Sequence, residues 1–184
     1  MTGIALFSSI AIILNYSHLQ FPAPYAPFLI YEVWEIPIIS ALLILGLYPS
    51  LIVAVVNTGV LLLINPGALG SGPIYNFIAV VVTLFAVSAA RGLSRKLKMG
   101  QNTSIGLATS FAVMARAPAL ALVNFVLLPF PPPLGYSIPE SAAVLYLPVI
   151  AMFNATLLLY TVPFAFGVVK AVSSRFRGRG LYFR

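Results

Sequence analysis

Long apolar runs, separated by short polar or proline-rich segments, make up almost the whole chain. A bilayer-spanning helix needs about 20 apolar residues, with about 17 to 25 as the working range. On that basis the pattern predicts six helices, at residues 3–18, 34–47, 50–64, 74–93, 104–128 and 142–172. Tyr48-Pro49 divides the second run from the third, because proline favours the start of a new helix. We therefore predict an all-α fold with a single membrane domain over residues 1–184.

Prolines also fall inside two of the predicted helices. Pro118 predicts a kink in the fifth helix, because proline removes an amide donor and clashes with the preceding turn. For the same reason, Pro148 and Pro163 predict that the sixth helix is kinked or partly re-entrant.

The segment from Phe21 to Pro37, FPAPYAPFLIYEVWEIP, interrupts the pattern near the start of the chain. Its prolines exclude a continuous helix, because each restricts the residue before it. The segment also holds the only tryptophan, Trp34, and two of the three acidic residues, Glu32 and Glu35. Lipid cannot satisfy the free backbone groups of an irregular segment. We therefore predict a loop that folds over, or into, the outer mouth of a helix bundle.

Composition and charge place this bundle in a membrane. The chain is 61% hydrophobic and 7% charged, whereas soluble domains carry about 25% charged residues. Four of the ten basic residues follow the fourth predicted helix and five lie at the carboxyl end, while the loops after helices one, three and five contain none. By the positive-inside rule both termini are cytoplasmic. The prediction is a six-transmembrane-helix bundle, a multi-pass integral protein of the cell membrane.

Several classes of activity lack the residues they require. The chain has no Cys and no Asp, which excludes a disulfide framework, a Cys-based metal site and a Ser-His-Asp arrangement. It contains no Walker-type phosphate-binding loop. The single histidine, His18, has no partner at metal-ligand spacing, and we interpret it as an interfacial residue. We expect no enzymatic activity, no cofactor, no metal site and no nucleic-acid partner, and we expect the first apolar run to be a retained helix.

Polar and aromatic residues gather at the predicted outer end of the bundle. Asn76, Asn124 and Asn154 lie there, with a band of aromatic residues that includes Phe28 and Tyr31. Amide groups can bind the hydrogen-bonding edge of a flat heterocycle while aromatic rings stack on its faces. The alternative is that the aromatics form an interfacial belt and the asparagines hold helices together. The residues alone leave both alternatives open.

Arg116 is the one basic residue predicted near the middle of the membrane. An ionised side chain is costly there and usually faces the interior of the bundle. It has three possible roles: attracting an anionic or carbonyl-bearing ligand, pairing with Glu32 or Glu35, or binding carbonyls freed by a proline. The glutamates themselves either make electrostatic contacts with a ligand or stabilise the amino end of the second helix.

Four segments stand out in this order: PFLIYEVWEIP (27–37), GPIYNF (72–77), ALVNFVLLPF (121–130) and LPVIAMFNATLLLY (147–160). Together they resemble the substrate-binding S components of energy-coupling-factor (ECF) vitamin transporters, most similarly the riboflavin-specific branch. The chain departs from that branch in having Glu for Asp at both acidic positions of the first segment. It also has Leu157 where the branch often has Lys.

The resemblance implies a subunit that captures riboflavin or a related vitamin near its outer face. Asn76, Asn124 and Asn154 would bind the vitamin, and Tyr31 and Trp34 would help to cover it. The implied partners are a transmembrane coupling subunit and two ATPase subunits.

Small residues of the first helix, Gly3, Ala5 and Ser9, would dock on the coupling subunit; small residues let helices approach closely. The alternative class is a structural or assembly subunit of a larger membrane complex that has no ligand of its own.

Overall fold

The computed structural model of the chain describes residues 1–17, 19–64 and 70–176. Its elements in order are α1 (Thr2–Tyr16), β1 (Gln20–Ala23), β2 (Ala26–Glu32), α2 (Glu35–Leu45), α3 (Leu47–Ile64), α4 (Gly72–Lys96), α5 (Gln101–Leu127) and α6 (Glu140–Phe176). The helices α3 to α6 are long and apolar enough to cross a membrane, whereas α1 and α2 have 15 and 11 residues. His18 and residues 65–69 and 177–184 lie outside the described part.

The segment predicted as an irregular loop contains a β-hairpin. β1 and β2 pair antiparallel, with Phe21 opposite Tyr31 and Pro22 opposite Ile30. Proline is tolerated because a strand in a two-stranded sheet has one edge free of ladder bonds. The register shifts between Pro22 and Ala23, beside the turn that joins the strands. As predicted, the prolines exclude a continuous helix here. The segment is nevertheless regular, because its backbone groups hydrogen-bond to each other across the hairpin.

The break between α2 and α3 falls at Gly46, so its predicted position at Tyr48-Pro49 is wrong. Gly46 has a φ of 98°, a backbone conformation that favours glycine. Pro49 instead lies in the first turn of α3, where the amide it lacks would have no partner in the helix. The predicted re-entrant segment is also wrong, because α6 runs through Pro148 and Pro163 without interruption.

The short helix α2 occupies the centre of the bundle. Eight of its 11 residues are buried, and it packs against α1, α3, α4 and α6. A helix that is apolar on all sides and too short to span a bilayer is typical of a protein core. The largest interfaces join α5 to α6 and α4 to α5. The amino end of α2 therefore enters the interior directly from the hairpin.

Charge is segregated between the two ends of the bundle. α4 and α6 both start at the hairpin end, so the basic residues at their carboxyl ends gather at the opposite end. The three acidic residues, Glu32, Glu35 and Glu140, belong to the hairpin end. This arrangement agrees with the charge pattern behind the predicted orientation, whereas the number of spans and the side of each terminus remain predictions.

Single cysteines introduced into this cysteine-free chain test the orientation. In intact cells, a membrane-impermeant maleimide should label Ser141→Cys, at the hairpin end of α6. It should label Lys98→Cys, beyond the end of α4, only after the membrane is permeabilised, because the positive-inside rule puts that end in the cytoplasm. The reverse labelling pattern would contradict the predicted topology.

Candidate ligand-binding site

A cavity of about 480 Å³ lies at the hairpin end, between β2, α4, α5 and α6. This volume falls in the range of about 300–1,000 Å³ that is usual for small-molecule pockets. Aromatic side chains from β2, α4, α6 and the loop between α5 and α6 form much of its wall: Phe28, Tyr75, Tyr136, Tyr146 and Phe153. Five of the predicted ligand-contacting residues line it: Phe28, Asn76, Arg116, Asn124 and Asn154. The structure thus brings the three asparagines together around one space.

A buried ion pair between Arg116 and Glu35 closes one side of this cavity. Arg116 Nη1 lies 2.5 Å from Glu35 Oε2, and Nη2 lies 2.8 Å from Oε1, so the contact is bidentate. Both side chains are only 4% exposed. Arg116 Nε also donates to Asn154 Oδ1 at 2.8 Å, and Nη1 reaches Thr83 Oγ1 at 3.3 Å. Of the three roles considered for Arg116, the one seen in this structure is pairing with a glutamate, and the glutamate is Glu35.

The pair has a local reason to form where it does. Glu35 is the first residue of α2, where the free amides of the helix favour a negative charge. Arg116, Thr83 and Asn154 come from α5, α4 and α6, so the network joins four helices at one point. Each buried charge would be costly alone, but the bidentate contact and the added hydrogen bonds compensate for its lost hydration. The cavity consequently carries no net charge from this pair.

The asparagine side chains retain unused hydrogen-bonding capacity. Asn154 Nδ2 donates to the Ile150 carbonyl at 2.9 Å, and Asn124 Nδ2 donates to the Leu120 carbonyl at 2.8 Å. Each of these amides keeps a second N–H and at least one acceptor lone pair. Asn76 is exposed and makes no side-chain hydrogen bond within the described part of the chain. Together they offer both donors and acceptors to a molecule in the cavity.

The hairpin is fastened to α6 by aromatic contacts. Phe28 meets Tyr146 edge to face, with ring centroids 5.8 Å apart. Tyr31 stacks on Phe153 at 5.0 Å and its hydroxyl lies 2.6 Å from that of Thr156. Tyr31 is not among the residues that line the cavity, and its role in covering a ligand stays a prediction. The Tyr31 ring packs β2 against Phe153, which does line the cavity.

Trp34 and Glu32 also lie outside the cavity lining. Trp34 is 3% exposed and packs in the main core, and its Nε1 donates to Glu32 Oε2 at 2.7 Å. Glu32 Oε1 accepts a bond from Gln20 Nε2 at 2.8 Å, across the hairpin. The role of Trp34 in covering a ligand stays a prediction, which its burial in the core does not support. Both side chains instead fix the junction between β2 and α2.

The small residues predicted to dock on a partner do not share one face of α1. Ala5 and Ser9 are exposed, as a docking surface requires. Gly3 faces α2, and a Cβ there would lie 3.1 Å from Leu45 Cδ1. Gly3 therefore allows the close approach of α1 to α2 within the protein, while the docking role of the three residues stays a prediction.

Neither a protein-family model nor a curated protein sequence matches the chain. Among solved structures, the fold is similar to that of the S component of a bacterial ECF transporter. The TM-score is 0.76, the identity is 20%, and the match covers 96% of each chain. The apolar helices and this shared fold identify a helical membrane protein, as the sequence predicted. At this identity, the similarity concerns the fold.

Breaking the ion pair should destabilise the protein strongly. Arg116→Met leaves Glu35 buried without its partner, which typically costs about 3–5 kcal/mol. Adding Glu35→Gln removes the remaining charge and should restore part of that loss. Thermal unfolding in mild detergent measures both, with the exposed Lys96→Gln as the control. Purely additive losses in the double variant would contradict a coupled buried pair.

The Glu32 carboxyl makes stability depend on pH. Burial raises its pKa above the ordinary value of 4.5 and the charge of Glu35 raises it further, while bonds from Trp34 and Gln20 act in the opposite direction. Above that ordinary value the unfolded chain ionises first, so the folded state loses stability through this group as pH rises.

Glu32→Gln removes this titration. Its midpoint of thermal unfolding, relative to the unaltered protein, should therefore rise between about pH 4 and about pH 7. Glu140→Gln, which replaces an exposed carboxyl, serves as the control. A difference that is constant over this range for Glu32→Gln would refute the assignment.

Proposed function

We propose that this chain is the substrate-binding S component of an ECF-type importer and that it captures riboflavin, or a related uncharged vitamin, in the cavity beside the hairpin. One observation carries the proposal. Three carboxamides and five aromatic rings surround a single space in which the one ionised lining residue is already neutralised. The similarity of the whole fold to an S component supports the transporter class.

The electrostatics of the cavity favour an uncharged ligand. The charge of Arg116 is neutralised by its ion pair with Glu35, and none of the three acidic side chains lines the cavity. A charged ligand would lose its hydration without gaining a counter-ion, which is costly in a buried site. A neutral molecule with polar edges loses less and can regain hydrogen bonds from the amides.

The arrangement of polar and aromatic groups favours a flat, amide-bearing ring. Asn124 and Asn154 each present a donor and an acceptor, which complement a ring edge that carries both C=O and N–H. Tyr75 and Phe153, from α4 and α6, offer aromatic surface for stacking. The isoalloxazine ring of riboflavin has both features. Leu157, at the position that departs from the riboflavin branch, is buried and does not line the cavity.

Transport would need partners that supply energy. We propose that a transmembrane coupling subunit and two ATPase subunits fill that role, because this chain has no phosphate-binding loop of its own. The exposed Ala5 and Ser9, four residues apart on α1, are the proposed docking positions. A structural or assembly subunit without a ligand would have no use for amides with spare donors and acceptors around a cavity.

The asparagines provide a matched test of the ligand site. Asn124→Leu removes ligand-facing hydrogen bonds and should weaken riboflavin binding about tenfold, since a lost bond is worth about 1 kcal/mol or more. Asn102→Leu makes the same change at the exposed start of α5, at the other end of the bundle, and should leave the affinity unchanged. Quenching of flavin fluorescence in mild detergent measures both. Equal effects would refute the assignment of the cavity.

A second experiment identifies the ligand. The protein is purified in mild detergent from a vitamin-replete host, its visible absorbance is recorded, and bound small molecules are extracted for mass spectrometry. We expect flavin absorption and riboflavin in the extract. Another vitamin would overturn riboflavin while keeping the S component. An empty extract, with no thermal shift from a panel of vitamins, would favour the assembly subunit.

A further inference from the structure

A second cavity lies at the end of the bundle opposite the hairpin, where α2 turns into α3 beside the last turns of α4. Its volume is about 620 Å³. Residues 42–47 form one wall, and Ser88, Arg91, Gly92 and Arg95 of α4 form the other. It shares no residue with the first cavity. The two spaces are therefore separate, and the second is not part of the proposed vitamin site.

Arg91 is held in place at the wall of this second cavity. Its Nη1 donates to the Leu42 carbonyl at 3.0 Å, and its Nη2 donates to the Leu43 carbonyl at 3.1 Å. These carbonyls belong to the last turn of α2, where a cation is favourable, and the Leu42 carbonyl also accepts a bond from the Gly46 amide at 3.1 Å. The contacts use only part of the guanidinium, so its other donors stay available. The position of the charge is thus fixed before any ligand arrives.

Arg95 adds a second charge one turn further along the same face of α4. It is exposed, and its side chain bonds to no other residue in the described part of the chain. The only acidic residues of the chain, Glu32, Glu35 and Glu140, lie at the hairpin end. None of these three carboxylates can neutralise the two arginines. The two charges are therefore open to an anion from outside the chain.

The apolar part of the cavity lining indicates which kind of molecule carries that anionic group. Leu45 and Leu47 contribute apolar surface beside the arginines, and Leu45 is 37% exposed, whereas Leu42 and Leu43 are buried in the core. A small inorganic anion would leave this surface uncovered, whereas an acyl chain would bury it. Arginine suits phosphate because its planar fork donates paired hydrogen bonds. The ligand that satisfies both walls has an anionic phosphate head and an apolar tail.

We infer that the cavity formed by the α2–α3 corner and by Arg91 and Arg95 binds an anionic phospholipid. The phosphate contacts the two guanidinium groups, and an acyl chain lies along the leucines. Basic pockets between membrane helices bind anionic headgroups in this manner, mainly on the cytoplasmic side. That is the side on which the positive-inside rule places this end of the bundle.

Native mass spectrometry of the full chain, released from neutral detergent, tests this inference. Phosphatidylglycerol and the zwitterionic phosphatidylcholine, with identical acyl chains, are titrated as probes. Phosphatidylglycerol should be retained preferentially. Arg95→Gln should weaken that retention about tenfold, because a hydrogen bond to a charged group is lost. Lys96→Gln removes the same charge from the next residue, outside the cavity lining, and should change retention less than about twofold.

Each other result overturns a stated part of the inference. Equal retention of the two lipids would exclude recognition of the anionic head. Equal losses in Arg95→Gln and Lys96→Gln would mean attraction by general surface charge and no defined site. Competition by glycerol 1-phosphate at the same concentration as the lipid would show a phosphate site that makes no use of an acyl chain. Arg95 is exposed, so an unchanged unfolding midpoint verifies that its variant is folded.

Discussion

The buried contact between Glu35 and Arg116 determines what the hairpin end of this protein can do. It joins the first residue of α2 to the middle of α5, through two bonds of 2.5 and 2.8 Å. Because Arg116 also donates to Asn154, the same guanidinium sets the orientation of an amide in the cavity wall. The contact therefore makes the cavity neutral, and it fixes the end of the hairpin relative to α6.

Sequence reasoning predicted the helices well, because apolar runs and positive-charge bias report directly on burial in lipid. It missed the hairpin, because hydropathy measures how apolar a run is and carries no information about strand pairing. Prolines hid the strands further, although edge strands accept them. The break at Gly46 was missed for a related reason. Proline is the stronger helix-breaking signal in the sequence, so Pro49 was chosen, but α2 ends where the backbone needs a positive φ, at Gly46.

Part of the candidate ligand-binding site could be predicted from the sequence. Asn124 and Asn154 were noticed because amides are uncommon in apolar runs. Thr83 was missed, although it lies seven residues after Asn76 on α4 and therefore shares its helix face. The sequence named Glu32 and Glu35 as alternative partners of Arg116 but could not decide between them, since both lie more than 80 residues away. Only the packing of α2 against the other helices decides between them.

Two arginines together explain how an almost wholly apolar helix keeps one position. α2 is apolar on nearly every side, so hydrophobic burial alone would tolerate rotation or sliding along its axis. Arg116 binds the carboxylate at its first residue, and Arg91 binds carbonyls of its last turn. These directional bonds, about 11 Å apart along the helix, specify its register in a way that apolar packing does not. Both cavities lie beside these anchors, so their shapes depend on the same fixed helix.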